Sequence, residues 1–334
     1  MAKITILGAG AWAGGLGQTL ADNGHDVCMW SPLESEVASV NTERTIAKLA
    51  QINIDLPEKI WATTDLREAA EYAPYILVAV PSQFVRSVME QVKALDIEAK
   101  IYISATKGIE PHTNLTMTEI VKDVLGERIC GLAALTGPSH AEEVIQRKVT
   151  SVVIASKDDT LAHVVQALFN NTEYFRVYRI SDIKGAELGG ALKNVIAVVS
   201  GIMYGLEYGD NAKAAMMTRG LAEISRLGRL LGAQPDTFFG LTGMGDLIVT
   251  CTSMFSRNFQ AGVKIAKGAT LAEIERSGAT VEGAKAVVSA HELASKYEVE
   301  MPIVETLYRI LYEGQTAKEQ LSSLLSRNMK AEND

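Results

Sequence analysis

The sequence predicts an α/β domain, with a parallel sheet covered by helices on both faces, followed by an all-α domain. With 334 residues, the chain is longer than one ordinary hydrophobic core supports. Apolar runs rich in β-branched residues alternate with helical segments in the first half, as in β-α-β units. Past about residue 180 the strand-like runs nearly vanish and helical spacing dominates. We therefore place the two domains at residues 1–182 and 183–334.

Short apolar runs mark the predicted strands of the first domain, at residues 3–7, 27–30, 75–80, 101–104, 129–135 and 151–155. Helical periodicity between them predicts helices at 84–94 and 116–125. Asp65 and Glu68 have the spacing of a helix N-cap and its reciprocal partner. The polar last residues, 328–334, are expected to fray.

Composition and charge exclude several classes of protein. The chain is 47% hydrophobic and carries a formal net charge of −8, which argues against a nucleic-acid partner, because binding phosphate backbones needs an excess of Lys and Arg. The longest apolar run, 194–206, is shorter than the ~20 residues of a membrane span, and the start lacks the apolar stretch of a signal peptide. Three distant cysteines, Cys28, Cys130 and Cys251, predict no disulfide framework. We expect a cytoplasmic protein without membrane insertion.

A glycine-rich loop follows the first predicted strand and precedes a helix. Residues 8–13 read G-A-G-A-W-A, which has the G-x-G-x-x-A spacing of dinucleotide-binding loops. Gly8 permits a tight turn, Gly10 lets the backbone approach a pyrophosphate, and Ala13 is small enough for close helix–sheet packing. Amides at the helix start hold the phosphates. The sequence therefore predicts a Rossmann-type, doubly wound sheet that binds a dinucleotide.

The end of the second predicted strand does not specify which nicotinamide cofactor binds. Recognition of the adenosine ribose is expected about twenty residues past the glycines, near Trp30-Ser31-Pro32. Neither an acidic residue for a 2′-hydroxyl nor an arginine for a 2′-phosphate stands there. NAD(H) and NADP(H) both remain open.

Lys107 follows the predicted strand 101–104, and the segment 137–139 follows another strand. Ligands of doubly wound sheets gather at the carboxyl ends of the strands, so Lys107 is placed to enter the ligand crevice. A loop lysine is also a common solvated surface residue, and the position admits both interpretations.

Lys193 lies in a segment, 185–206, whose residues are overwhelmingly apolar or small. Ala186, Gly190, Lys193 and Ala197 fall on one helical stripe, where small residues let a ligand or another element come close. A lysine there is either paired or desolvated with a lowered pKa, as in proton-transfer catalysis. The alternative is a lysine that snorkels at a domain interface.

The segment 240–250 carries three glycines before Asp246, which predicts a tight turn that presents this carboxylate at a helix start. Thr250 is four residues further on and would share a face with Asp246. Arg257 and Asn258 offer a guanidinium and an amide, which suit phosphate recognition. As isolated motifs these are weak.

Other catalytic motifs are absent from the sequence, including a Walker A loop, H-E-x-x-H, C-x-x-C and G-x-S-x-G. The five histidines are scattered, and of these His140 stands beside Ser139 in the predicted crevice. Metal catalysis and acyl transfer are therefore disfavoured, and we predict no metal site.

Taken in order, the motifs resemble those of the bacterial-type NAD(P)-dependent glycerol-3-phosphate dehydrogenases. The matching segments span nearly the whole chain and lie at residues 8–10, 105–108, 136–143, 187–188 through 193–194, 243–247 and 256–258. The resemblance implies reversible reduction of dihydroxyacetone phosphate to sn-glycerol 3-phosphate for glycerophospholipid synthesis. It also implies a homodimer with NAD(H) or NADP(H) as cofactor.

The resemblance further implies roles for individual residues. Lys193 would be the proton acceptor in alcohol oxidation, with Lys107 and Asp246 completing the catalytic set. Cofactor-binding residues would be Gly8, Gly10, Ala11, Trp12, Ala13, Lys107, Ala141, Arg257 and Glu282. Substrate-binding residues would be Lys107, Gly137, Ser139, Lys193, Asn194, Asp246, Thr250, Ser256, Arg257 and Asn258.

The sequence departs from the family pattern in two places. Ala11 and Ala13 stand where the family commonly has Ser and Gly, and Pro32 lies where an Arg is common. The first change removes a hydroxyl near the phosphates, and the second leaves an NADPH preference without its usual residue.

Two rival functions remain at the level of sequence. A two-domain dehydrogenase of a hydroxy acid or sugar acid would also use Lys107 and Arg257, and only the order of the motifs disfavours it. A non-catalytic module that senses NAD(H) is disfavoured by Lys193, because a sensor has little reason to keep a buried lysine.

Overall fold

The computed structural model of the protein describes residues 1–278, 280–327, 329 and 331–332. Within these residues, eight strands form one sheet in the order β3-β2-β1-β4-β5-β6-β7-β8. The strands are β1 (Lys3–Leu7), β2 (Asp26–Trp30), β3 (Ile60–Thr63), β4 (Tyr75–Val78), β5 (Lys100–Ser104), β6 (Ile129–Thr136), β7 (Thr150–Ala155) and β8 (Phe175–Ile180).

The strand order reverses beside β1, as in a Rossmann-type sheet, and the predicted fold class is confirmed. All neighbouring pairs are parallel except β6 and β7, which run antiparallel with Ala134 opposite Ala155. The expectation of a wholly parallel sheet was therefore wrong at this pair. A parallel connection needs a long crossover, whereas residues 137–149 contain one helix of four residues.

Two strands, β3 and β8, were not predicted, and they form the two edges of the sheet. In β8, Arg176 and Tyr178 are exposed and alternate with the buried Phe175 and Val177. Charged outward positions are common on edge strands, which must avoid pairing with other chains. The same charges interrupt the apolar run from which strands were predicted.

Helices cover both faces of the sheet and form two apolar layers. One layer contains Leu16 and Phe169, and the other contains Val88 and Tyr102. These helices are α1 (Ala11–Asp22), α2 (Glu34–Asn41), α3 (Leu66–Tyr72), α4 (Val85–Ala94), α5 (Met117–Leu125), α6 (Ala141–Val144) and α7 (Asp159–Phe169). Single 3₁₀ turns lie at Ala47–Leu49, Ser82–Phe84 and Gly126–Arg128.

The predicted helices at 84–94 and 116–125 are confirmed as α4 and α5. Asp65 caps α3 as expected, since its carboxylate accepts from the Arg67 and Glu68 amides at 2.8 and 3.2 Å. Glu68 does not return a bond to the cap, because its carboxylate accepts from the Thr63 hydroxyl at 2.6 Å. The reciprocal half of the predicted cap was therefore wrong.

The second part of the described chain is helical and packs around α8 (Ile183–Gly205), which is buried over nearly its whole length. The helices that follow are α9 (Asp210–Leu230), α10 (Pro235–Phe239), α11 (Asp246–Thr252), α12 (Arg257–Ala266), α13 (Leu271–Arg276), α14 (Glu282–Lys296), α15 (Pro302–Tyr312) and α16 (Ala317–Leu325). Of the predicted frayed end, residues 328, 330, 333 and 334 lie outside the described residues.

Asp182 stands where the sheet ends and α8 begins. Its carboxylate accepts from the Gly185 amide at 2.9 Å, from the Gln234 amide at 2.8 Å and from the Thr237 hydroxyl at 2.8 Å. This N-cap thus anchors α8 to the start of α10. We propose the division between the domains at this residue.

By length and composition α8 could cross a membrane, but it is buried inside the protein. Its apolar surface is covered by α9, α11, α12 and α14, which is the environment of a core helix. The three cysteines are free, with Cys28 and Cys251 buried and Cys130 exposed.

Glycines let the helices around α8 approach backbone to backbone. A Cβ at Gly201 of α8 would collide with the Phe259 carbonyl oxygen of α12, and a Cβ at Gly262 of α12 would collide with the Val198 carbonyl oxygen of α8. Small residues at a helix crossing shorten the distance between the axes, and backbone atoms cannot yield to a new side chain.

We expect Gly262→Ala to lower the free energy of unfolding by about 3 kcal/mol, because the added methyl group overpacks the crossing of α8 and α12. Gly209→Ala is the matched control, since a Cβ there meets nothing within 4 Å, and it should change stability by less than ~1 kcal/mol. Chemical denaturation measures both. Equal stability losses would show that the crossing has room to adjust.

Candidate functional site

Lys193 lies in the middle of α8 and is 5% exposed. Its ammonium donates to a carboxylate oxygen of Asp246 and to the Thr250 hydroxyl, the latter at 2.7 Å. The Thr250 hydroxyl in turn donates to the Asp246 carbonyl oxygen at 2.6 Å. The predicted burial of Lys193 is confirmed, and of the two sequence alternatives the structure shows the paired lysine rather than a snorkelling one.

Asp246 joins the two lysines that the sequence singled out. Its second carboxylate oxygen accepts from Lys107 at 2.7 Å, and Lys107 also donates to the Gly137 carbonyl oxygen at 3.0 Å. The Asp246 side chain is 1% exposed and that of Lys107 is 16% exposed. One buried carboxylate thus bridges a lysine of the sheet domain and a lysine of the helical domain.

The loop before Asp246 is not the tight turn that its glycines predicted. Residues Leu241–Gly245 form a wide π-helical turn that runs directly into α11. A Cβ at Gly243 would collide with the Phe238 carbonyl oxygen, and a Cβ at Gly189 of α8 would lie 2.6 Å from the Thr242 carbonyl oxygen. Gly243 thus allows close packing against α10 and Gly189 allows α8 to approach the turn, while Asp246 still begins a helix as expected.

Burial has a strong effect on the Lys193 ammonium. It lowers the pKa of this group to about 8, with the charge of Lys107 adding to the shift and the Asp246 carboxylate opposing it. A lysine whose pKa lies this close to physiological pH can both give and take a proton. Burial and the charge of Lys193 also lower the pKa of His140.

A second hydrogen-bond network continues from the next residue of α8. The Asn194 carboxamide oxygen accepts from the Asn258 carboxamide at 3.0 Å, and its nitrogen donates to the Glu282 carboxylate at 3.3 Å. The Asn258 oxygen accepts from the Gly283 amide at 2.9 Å. The starts of α12 and α14 are therefore fixed to α8 beside Lys193.

The glycine-rich loop has the geometry that its sequence predicted. Gly8 has a φ of +128°, and a Cβ there would lie 2.9 Å from the Ala79 carbonyl oxygen. Gly10 is the N-cap residue of α1, and no side chain caps the first-turn amides. Uncapped amides at the positive end of a helix fit the phosphates of a dinucleotide. The Trp12 indole donates to the Ala105 carbonyl oxygen at 3.1 Å, which holds the start of α1 against the loop of Lys107.

The remaining predicted site residues take several positions. Ser139 donates to the Gly137 carbonyl oxygen at 2.9 Å, and Ala141 begins α6. Ser256 caps α12 by accepting from the Phe259 amide at 3.2 Å. Arg257 is exposed at the first position of α12. The described contacts therefore bring together the groups of Lys193 and Asn194, whereas they leave Arg257 outside both networks.

Several polar residues of this region were not assigned a role from the sequence. The Glu187 carboxylate on α8 is buried and accepts from the Thr118 amide at 2.9 Å and from its hydroxyl, which ties α8 to the start of α5. Burial raises the pKa of Glu187. The buried Thr136 hydroxyl and His140 Nε2 have no hydrogen-bond partner among the described residues. The signal for Glu187 was its place in a buried apolar helix, the same signal that identified Lys193.

A third polar group lies beside the glycine-rich loop. The Glu36 carboxylate accepts from the Ser31 hydroxyl at 2.6 Å and pairs with Lys48 at 3.3 Å. No sequence motif pointed to this group, because Glu36 and Lys48 reach the end of β2 only through the folding of α2 and the 3₁₀ turn after it. Within the described residues, no cluster of three or more His, Cys, Asp or Glu is arranged to hold a metal.

Comparison with known families matches both parts of the chain. Residues 3–162 match the model described as the N-terminus of NAD-dependent glycerol-3-phosphate dehydrogenase, and residues 182–322 match the model of its C-terminus. Together these segments cover most of the chain.

Individual relatives match over nearly their full length. A protein of Geobacillus kaustophilus named glycerol-3-phosphate dehydrogenase (NAD(P)+) is 45% identical, and the match covers 100% of this chain and 97% of the relative. A Bacillus cereus protein of the same name is 48% identical, with 99% and 98% covered. A crystal structure of glycerol-3-phosphate dehydrogenase from Coxiella burnetii superimposes with a TM-score of 0.91 at 34% identity, covering 98% of this chain and 99% of that one.

We expect Asp246→Asn to lower the free energy of unfolding by about 3–5 kcal/mol, because two lysines would remain in a buried site without their shared carboxylate. Asp96→Asn is the control, since it removes the exposed Asp96–Arg128 pair, and it should cost less than ~1 kcal/mol. Urea denaturation monitored by fluorescence compares the variants. Similar values for both would mean that the buried bridge adds nothing beyond a surface pair.

Proposed function

This chain belongs to the NAD-dependent glycerol-3-phosphate dehydrogenase family and is an NAD(P)-dependent oxidoreductase. We propose that the buried pair of Lys193 and Asp246 carries its interconversion of dihydroxyacetone phosphate and sn-glycerol 3-phosphate. The observation that supports this most is the lysine itself: a buried ammonium with a pKa of about 8, held on two sides at the junction of the two domains.

The nicotinamide cofactor, NAD(H) or NADP(H), supplies or accepts the hydride when it is bound. Gly8, Gly10 and the first-turn amides of α1 would hold its diphosphate, and Ala11, Trp12 and Ala13 belong to the same turn. The missing hydroxyl at Ala11 is no obstacle, because the uncapped backbone amides donate by themselves. Glu282 and Ala141, each at the start of a helix, would lie further along the nucleotide.

Lys193 is the proton donor in ketone reduction. As hydride reaches the carbonyl carbon, the carbonyl oxygen becomes an alkoxide, and Lys193 Nζ gives it a proton to form the alcohol. The bonds to Asp246 and Thr250 fix the ammonium on two of its three donors, which leaves the third for the substrate oxygen. In alcohol oxidation the neutral amine takes the same proton back.

Lys107 stabilises the charge that develops on that oxygen. It is held by Asp246 and by the Gly137 carbonyl, so its orientation is set before substrate binds. A preorganised donor of this kind commonly contributes about 3 kcal/mol to the transition state. The substrate phosphate would be held by Arg257, with Asn258, Ser256 and Ser139 around it.

The Arg257 side chain makes no hydrogen bond or ion pair within the described residues. An arginine without an internal acceptor suits a dianionic phosphate, which accepts two parallel N–H bonds. Asn258 donates one of its two amide hydrogens to Asn194 and keeps the other for a ligand. The assignment of a phosphorylated substrate to this end of the site rests on these free donors.

We further propose that the protein acts in the cytoplasm as a homodimer and supplies glycerol 3-phosphate for glycerophospholipid synthesis. The family resemblance supports these three points. Size-exclusion chromatography with light scattering tests the dimer, and it does so independently of the catalytic assignment.

The test of the function is optical: oxidation of NADH and of NADPH with dihydroxyacetone phosphate as substrate, and with dihydroxyacetone as the control that lacks the phosphate. Turnover that requires the phosphate supports the proposal. Turnover of a keto acid instead would favour the rival function, a dehydrogenase of hydroxy acids. Cofactor binding without turnover of any ketone would favour a sensor.

We expect Lys193→Met to lower kcat by about 10²–10⁴-fold, since it removes the proton donor and keeps the apolar stem. Cofactor affinity, measured by fluorescence titration, should stay near the wild-type value because Lys193 is assigned to the substrate. Lys318→Met changes an exposed lysine of α16 and should leave both quantities unaltered. Wild-type turnover in Lys193→Met would exclude the assignment.

The pH dependence follows from the lowered pKa of Lys193. Reduction needs the ammonium, so kcat/KM for dihydroxyacetone phosphate should fall as pH rises through about 8. Oxidation needs the neutral amine, so kcat/KM for glycerol 3-phosphate should rise through the same pH. Steady-state rates in both directions across this range provide the measurement. Profiles that bend in the same direction would contradict a shared proton carrier.

A further inference from the structure

The polar group at the end of β2 consists of Ser31, Glu36 and Lys48. Ser31 is 1% exposed, and its hydroxyl donates to Glu36 and accepts from the Leu33 amide at 3.2 Å. The Glu36 amide donates to the Leu33 carbonyl oxygen at 3.0 Å. The Glu36 side chain is 12% exposed and that of Lys48 is 62% exposed. The Glu36 carboxylate is therefore held in place, and Lys48 contacts it from the solvent side.

This group lies directly beside the glycine-rich loop. The Gly8 amide donates to the Trp30 carbonyl oxygen at 2.8 Å, and Ser31 is the next residue along the chain. Lys48 Nζ is 3.7 Å from the position that a Cβ on Gly10 would take. The three side chains thus border the loop on its β2 side, between the diphosphate position at Gly10 and the end of β2.

In Rossmann-type sheets the adenosine ribose lies at the end of the second strand. A fixed carboxylate there accepts a hydrogen bond from a ribose 2′-hydroxyl and repels a 2′-phosphate. We propose that Glu36 selects NADH over NADPH in this protein. The inference rests on the proposed function for the nucleotide, and it supplies from α2 the acidic residue that the segment Trp30-Ser31-Pro32 lacks.

Lys48 does not reverse this selection. Its ammonium lies near both Glu36 and Gly10, so it is placed to face the diphosphate. The diphosphate is common to both cofactors, and a cation beside it strengthens both alike. NADPH differs from NADH by its 2′-phosphate, and we place that substituent against the Glu36 carboxylate.

Isothermal titration calorimetry of the full chain with NADH and NADPH tests the proposal without any turnover. The wild-type protein should bind NADH at least about tenfold more tightly, because a 2′-phosphate would face a fixed like charge. Glu36→Gln keeps a group that can accept from Ser31 and removes the charge, and it should shrink the preference to about threefold or less. Glu34→Gln, an exposed change on the same helix, should keep the wild-type ratio.

Adenosine 5′-monophosphate and adenosine 2′,5′-bisphosphate serve as fragments that carry only the ribose difference. A preference for the monophosphate that Glu36→Gln removes supports the proposal. Equal binding of both fragments, or an NADPH preference that Lys48→Gln abolishes, overturns it while leaving the dehydrogenase assignment intact. No binding of either dinucleotide would instead contradict the proposed function.

Discussion

The site depends on one buried carboxylate between two lysines. Asp246 is nearly inaccessible to solvent and contacts Lys107 of the sheet domain and Lys193 of the helical domain. Removing two ammonium groups from water is costly, and only a shared counter-charge with good geometry offsets that cost. The arrangement therefore constrains both domains at once: the loop after β5, the centre of α8 and the start of α11 must meet at one point. The two lysines are therefore positioned by the two oxygens of one carboxylate.

The helical domain is organised to bring α8 to that point. Asp182 fixes the beginning of α8, and Glu187 ties this helix to α5. The glycine contacts set how closely α8 approaches α12 and α14. Because α8 is buried on nearly all sides, its two polar residues beside each other, Lys193 and Asn194, can only face partners that the fold supplies. Each of them opens one hydrogen-bond network, and the two networks meet in adjacent residues of a rigid helix. The positions of Lys193 and Asn194 are therefore set by the packing of a helix rather than by long loops.

Sequence patterns were sufficient to predict the features that residues of one short segment form. The glycine-rich loop, the buried stripe around Lys193 and the shared helix face of Asp246 and Thr250 could be predicted because each depends on residues close in the chain. Contacts between distant segments were not accessible in this way. The position of Glu36 at the end of β2 depends on the path of α2, and the antiparallel β7 depends on how the short connection after β6 returns. The edge strand β8 was missed because arginines interrupt its apolar run, and β3 was missed because it is only four residues long.

The glycines around α8 determine which positions near the site tolerate a larger side chain. Gly189, Gly190 and Gly283 leave no space for a Cβ, because it would meet the Thr242 carbonyl, the Thr136 hydroxyl or the Asn194 carbonyl. Even the smallest added side chain at these positions would force α8 away from its neighbours. Ser139 and Arg257, by contrast, are not buried, so exchanging their side chains requires less change in packing. The packing around α8 is therefore much less tolerant of substitution than the positions of Ser139 and Arg257.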